Sequence, residues 1–530
     1  MKLKRPPLVP QNSVVRLFQA AEQALQSKDF EQNFELLERA RRLDPANPTL
    51  LLQLGRNQGL RYNYAAAGEY FEKAVQLSSR KTETLAMAAL QSRDFFNPEL
   101  SERFFRRAAE QKDVKPATLV FLAELYERLH RPDEVAQLID RALQMDRSFA
   151  PALLVRARLE QQTGHWEAAE KRLRELLPKA DRETRVSANY QLGAVLDRQG
   201  RYDEAMSAFL EAKKPLQAGH YFLQRQVLNA HLREMLTSLS ADVFQRWFEF
   251  GRELEPRKLS GPALLCGHIR SGTTLLEQVL DAHPGIISAE ETPIFYDDVY
   301  VPLVRARPAK APRPDLPRHF QVVIPVELPV LEEASRELLR QVRENYFRMM
   351  ELCLGEPIGG RLLIDKNPAL IHLLFGFHRV FPEMKLIVTL RDPRDICLSC
   401  FMQNFAPIKL KHTAYFNLED TVEEYVQEMN IWRAIAPMLS GRYLEVRYED
   451  IVEDLESVAR KTLDYLGTPW DARVLRFHEH ARQKLVRTPT FADVTKPIFK
   501  TARGRWHNYQ KYFEPHLHRL EPFVKAFGYE

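Results

Sequence analysis

The sequence predicts an α-helical solenoid followed by an α/β domain built on a parallel sheet. Two observations carry this. Residues 14–217 repeat with a 34-residue period, and beyond about residue 257 short apolar runs alternate with helical stretches. Length agrees: at about 100–200 residues per domain, 530 residues exceed one ordinary unit.

The period is read from small residues at Ala21, Gly55, Ala89, Ala123 and Ala157, with Gly193 continuing the series after a two-residue insertion. Sixteen residues after each stands an apolar side chain: Leu37, Phe71, Phe105, Ile139, Leu173 and Phe209. Three further on are Ala40, Ala74, Ala108, Ala142, Leu176 and Ala212. Small residues let the two helices of a hairpin approach closely, and the larger ones fill the space between hairpins. This grammar resembles the tetratricopeptide repeat. A single such unit cannot bury its apolar stripe, so units stack, and the resemblance implies a surface for a partner or substrate protein. A rigid spacer or a dimerisation surface, with a homodimer as the assembly, is the plainer alternative.

Residues 218–256 keep helical periodicity but lose the repeat register, which predicts a capping helix and a linker. From 257 to 530 the apolar runs Ala263–Cys266, Leu362–Ile364, Lys385–Leu390 and Tyr443–Val446 suit buried parallel strands. Ligands in such sheets sit at the carboxyl ends of strands, and each motif below follows one of these runs.

Composition narrows the function. The net charge of +5 on 530 residues gives no global case for nucleic acid or an anionic membrane. No apolar run approaches the ~18 residues of a membrane span. The basic N-terminus lacks the apolar core of a signal peptide, so a cytoplasmic location is expected. Cys397 and Cys400 form a lone CxxC in a helical segment, a weak redox or zinc signal, and a buried neutral role is expected.

The segment PALLCGHIRSGTTLLEQVLDAHP reads as strand, tight loop and helix. Amide groups of the loop and of the helix start make an anion site. Gly267 and Gly272 have P-loop spacing, but position 273 is Thr rather than Lys, and the cation stands at Arg270. That weakens a kinase or NTPase reading. The loop, followed by Glu290 and Glu291, resembles the sulfotransferase family that uses 3′-phosphoadenylyl sulfate (PAPS), and more closely its protein-tyrosine branch.

The resemblance implies PAPS as co-substrate and no metal. It implies Arg270, Ser271, Gly272, Thr273 and Thr274 around the 5′-phosphosulfate. It implies Glu291 as the base, with Glu290 the neighbouring alternative. Lys366, in LLIDKNPAL, would assist the leaving oxygen together with Arg270. LRDPRD with Ser399 eight residues after Arg391 resembles the 3′-phosphate motif and implies Arg391 and Ser399 as ligands. Tyr448 would contact the nucleotide, and the C-terminal basic loop points to Thr490, Lys496 and Arg505. Gln403 stands where some protein-tyrosine members carry Arg, which weakens a narrow tyrosine assignment.

The expected function is therefore sulfonate transfer from PAPS to an acceptor hydroxyl, protein tyrosine being one candidate. The repeats would recruit the acceptor peptide, protein or glycan. The alternative is a repeat scaffold whose nucleotide-binding domain does no chemistry. The seven prolines of residues 301–330 exclude a regular helix there and suggest a lid or a variable excursion.

Overall fold

The computed structural model describes residues 11–216, 230, 232–254, 261–306, 331–405, 414–482, 495, 498 and 502–529. The chain divides into two compact units. One contains residues up to Ala152, and the other contains residues 153–314 and 325–530.

The first unit is built of helical hairpins: Gln11–Gln26 with Phe30–Leu43, Pro48–Leu60 with Tyr64–Leu77, Lys81–Asp94 with Pro98–Ala109, and Pro116–Arg128 with Pro132–Met145. The turn within each hairpin carries a left-handed residue, at Lys28, Tyr62, Phe96 and His130. The next residue often caps the second helix. Asp29, Asn63 and Asn97 accept hydrogen bonds from the amides of Gln32, Ala66 and Leu100. The small residues do what their spacing implies. A Cβ placed on Gly55 would come 2.4 Å from the Phe71 ring sixteen residues later, so only glycine admits this approach.

The second unit opens with two more hairpins, Ala150–Gln162 with Trp166–Leu176 and Arg182–Arg198 with Tyr202–Lys213. Their turns carry left-handed Gly164 and Gly200, continuing the same register across the two-residue insertion. A Cβ on Gly193 would lie 2.7 Å from the Phe209 ring, repeating the Gly55 arrangement.

The rest of the unit holds a five-stranded parallel sheet. β1 is Ala263–Gly267, β2 Ile286–Glu290, β3 Leu362–Lys366, β4 Lys385–Leu390 and β5 Tyr443–Arg447, in the order β2-β3-β1-β4-β5. β1 pairs with β3 and β4, placing Leu265 beside Lys366 and Gly267 beside Thr389. The four predicted runs are strands. β2 was not anticipated: it is an edge strand of sequence IISAE, as long as β1, β3 and β5 but with its apolar run broken by Ser288 and ended by Glu290. Its register places Glu290 opposite Lys366.

The helix Thr273–Asp281 buries Leu276, Val279 and Leu280 with Ala263, Leu265, Ile364 and Ile387 from the strands and Leu463 from helix Leu455–Leu466. Helix Ala241–Leu254 sets Phe244 and Trp247 against His378 of helix Leu374–Val380, and so joins the sheet domain. Residues 301–305, at the start of the proline-rich stretch, continue as helix. Pro302 sits in the first turn, where no amide donor is required. Residues 307–330 lie outside the described residues.

Candidate active site

The loop between β1 and helix Thr273–Asp281 has an unusual backbone. Arg270 is held at φ 69° and Gly272 at φ 100°. Arg270 is a non-glycine residue in the left-handed region, a conformation that persists only where surrounding contacts fix it. Those contacts are present. The Ser271 amide donates to the His268 carbonyl at 3.2 Å, and the Ser271 and Thr389 hydroxyls lie 2.6 Å apart. Gly272 has no room for a side chain, since a Cβ would come 2.8 Å from the Tyr448 ring.

Arg270 reaches across the carboxyl end of the sheet. Its Nε donates to Ser399 Oγ at 3.0 Å. Ser399 lies on helix Pro393–Met402, which follows β4 and begins on Pro393, capped by Asp392 through the Arg394 amide. Arg391 sits just beyond β4. Its Nη1 donates to the Arg270 carbonyl at 3.1 Å and its Nη2 to the Ala502 carbonyl at 2.6 Å. The guanidinium lies 4.7 Å from the Tyr448 ring centroid. Arg391 Nε is buried without a hydrogen-bond partner among the described residues, a donor suited to a bound anion.

On the other side of the loop stands Lys366, fully buried at the end of β3. Its ammonium lies 3.0 Å from Glu291 Oε1 and 3.3 Å from Glu290 Oε1, and it donates to Thr274 Oγ1 at 3.5 Å. Burial opposes its charge, but Glu291, Glu290 and Glu277 outweigh it and hold the Lys366 pKa above its ordinary value. Asp365, the next residue back, points elsewhere and takes a hydrogen bond from Tyr346 at 3.0 Å.

The two acids are separated by strand geometry. Glu290 is the last residue of β2, with a side chain 3% exposed. Glu291 turns out of the strand at φ 48°, anchored by its amide on the Lys366 carbonyl at 2.7 Å, and its side chain is 39% exposed. Both approach one ammonium, but only Glu291 is open to an incoming group.

The structure thus gathers Arg270, Ser271, Gly272, Thr273, Thr274, Glu291, Lys366, Arg391, Ser399 and Tyr448 at the carboxyl end of the sheet. Arg505 behaves differently: its Nη2 is ion-paired with Asp197 Oδ2 at 2.6 Å. Thr490 and Lys496 lie outside the described residues. Cys397 and Cys400 are buried and form no disulfide, and burial pushes the Cys397 thiol well above its ordinary pKa.

Several contributors were invisible in the sequence. Thr389 braces the loop from β4. Asp395 accepts the amides of Gly504 at 2.6 Å and Trp506 at 2.9 Å. Beneath the loop, buried Glu428 lies 3.1 Å from His268 Nε2 and 2.6 Å from His372 Nε2. Among the described residues, His372, Glu424 and Glu428 bring metal-ligating atoms within 4.8 Å of one another. Protons on the two imidazoles would also satisfy Glu428.

Residues 262–472 match the model of the sulfotransferase family, and residues 186–214 match that of the tetratricopeptide repeat. An uncharacterised protein of Aquifex aeolicus is 26% identical over 66% of this chain and 43% of its own length. Protein-tyrosine sulfotransferase 1 of Danio rerio is 25% identical over 46% of this chain and 65% of its own length. The chain therefore spans between 43% and 65% of the length of these two curated relatives. Among solved structures, the sulfotransferase domain of the Synechococcus PCC 7002 olefin synthase aligns over 52% of this chain and 98% of that domain, at 21% identity and a TM-score of 0.36. The chain joins a helical array resembling tetratricopeptide repeats to a parallel-sheet domain that matches the sulfotransferase family over residues 262–472.

Proposed function

We propose that the sulfotransferase domain moves a sulfonate from PAPS to an acceptor hydroxyl. One observation carries the reading: a single loop touches both charged ends of the cleft, through Arg270 to Ser399 and through Thr274 to Lys366. A donor with a phosphate at its 3′ side and a phosphosulfate at its 5′ side matches that separation of charge.

In this reading Arg391, with its unpartnered Nε, and Ser399 hold the 3′-phosphate. Tyr448 walls the nucleotide. The amides and hydroxyls from Arg270 to Thr274 hold the 5′ end, assisted by the helix dipole. This reading keeps Thr490 and Lys496 as further cofactor contacts that the resemblance implies, while Arg505 is engaged by Asp197. Glu291 removes the acceptor proton, the acceptor oxygen bonds to sulfur, and the bond from sulfur to the 5′-phosphate oxygen breaks. Lys366 and Arg270 stabilise the charge on that oxygen and on the sulfonate. Adenosine 3′,5′-bisphosphate leaves, and no metal is needed.

The acceptor is a hydroxyl of a peptide, protein or glycan brought by the repeats. Protein tyrosine is one candidate, supported by the name of the Danio rerio relative. The test is labelled sulfonate transfer from PAPS to a panel of tyrosine peptides, sugars and phenols. Labelled product supports the reading. Binding of the donor without product on any acceptor favours a scaffold with a nucleotide site. Mg²⁺-dependent consumption of ATP favours a kinase.

A further inference from the structure

The last repeat hairpin is wired into the transfer site. Asp197, near the end of helix Arg182–Arg198, accepts from Arg505 Nη2 at 2.6 Å and from the Tyr509 hydroxyl at 2.7 Å. These partners lie 308 and 312 residues away in sequence. Tyr509 also meets Tyr202 edge-on at 5.4 Å between centroids. Lys213, fully buried at the end of helix Tyr202–Lys213, donates to the Tyr190 hydroxyl at 3.0 Å and the Tyr415 carbonyl at 2.5 Å. Its ammonium stands 4.3 Å from the ring centroid of Phe401, on the helix that bears Ser399.

From Arg505 the chain of bonds continues. The segment 502–509 hangs its Gly504 and Trp506 amides on Asp395, and its Ala502 carbonyl takes Arg391 Nη2. Arg391 in turn holds the Arg270 carbonyl, and Arg270 holds Ser399. Asp197 is therefore the anchor of an uninterrupted path from the repeats to the phosphate loop. Charge-assisted bonds of this length are the strong members of such a path.

We propose that Asp197 is a positioning residue of the transfer site: by clamping Arg505 and Tyr509, it fixes the segment that orients Arg391 for the 3′-phosphate. This rests on the function proposed above. Asp197 touches no substrate in this reading. Its effect is on how firmly the nucleotide side is pre-formed.

The test uses the full chain. Asp197→Asn removes the charge with little change in shape, and Asp197→Glu keeps the charge. Two quantities are read: the Kd of adenosine 3′,5′-bisphosphate by calorimetry, and hydrogen exchange of the Gly504 and Trp506 amides without ligand. The expected result for Asp197→Asn is a Kd raised about tenfold and exchange faster at both amides by about the same factor. The donor KM should rise while kcat stays within about twofold, and Asp197→Glu should recover most of the affinity. A general loss of folding would instead lower kcat and speed exchange throughout the sheet, which would overturn the proposal. So would an Asp197→Asn protein with wild-type Kd and wild-type exchange. If the wild-type chain binds no adenosine 3′,5′-bisphosphate, the PAPS reading fails; local exchange at Gly504 and Trp506 then decides whether Asp197 holds the segment.

Discussion

Replacing Glu291 by Gln isolates chemistry from stability. The Glu291 side chain is 39% exposed and pairs at 3.0 Å with the fully buried Lys366. Lys366 is fully buried, so losing one of its carboxylate partners costs more than a surface pair would, but Glu290 stays beside it at 3.3 Å, which leaves a cost of about 1–3 kcal/mol. Gln keeps the size of the side chain, so the folded state should lose no more than about 3 kcal/mol, a shift of a few °C in Tm for a unit of this size. The loss of a base is worth about 10²–10⁴ in rate. At about 1.36 kcal/mol per decade this is about 2.7–5.4 kcal/mol on the barrier. The effect on turnover should therefore exceed the effect on stability, and the Kd for adenosine 3′,5′-bisphosphate should stay within about threefold. Glu290→Gln is the control. Its side chain is buried and faces the same ammonium at 3.3 Å, so its main cost falls on stability, at about 3 kcal/mol or more. Labelled transfer, calorimetric binding and thermal melting on both variants decide the matter. If Glu290→Gln abolishes turnover in folded protein while Glu291→Gln retains it, the assignment of the base is wrong.

Three further outcomes are expected. Arg391→Ala removes the contacts to Arg270 and Ala502 together with the unpartnered Nε. It should weaken coproduct binding about 10–100-fold in calorimetry, with a smaller effect on turnover at saturating donor. Asp365 is buried, and burial raises its pKa to about 7. With the folded pKa above the unfolded one, its contribution is full below about pH 4 and lost as pH rises through about 7. Asp365→Asn should therefore gain Tm relative to wild type at pH 8 compared with pH 5, and parallel melting curves across that range would contradict this. Finally, a fragment starting at residue 257 loses the Lys213–Tyr415 and Asp197–Arg505 contacts, whereas one starting at residue 153 keeps them. The longer fragment should bind adenosine 3′,5′-bisphosphate and the shorter one should bind it at least about tenfold more weakly or fail to fold; equal binding by both would show that the last hairpin is dispensable.

Local pattern made much of this legible in the sequence. The 34-residue register reappears as left-handed residues seven positions after each small residue, from Lys28 to Gly200, because helix packing and turn geometry are set within a few residues. The loop at Arg270–Thr274 and the start of helix Pro393–Met402 were readable for the same reason: Gly272 permits the left-handed turn and Pro393 fixes φ at the first helical position. The tertiary structure alone decided the rest. Adjacent Glu290 and Glu291 are equivalent in sequence. They differ because Glu290 ends an edge strand paired with β3 while Glu291 turns out of it. Likewise nothing near Arg505 signals Asp197. Contacts across some 300 residues depend on how whole elements meet, and no local periodicity encodes them.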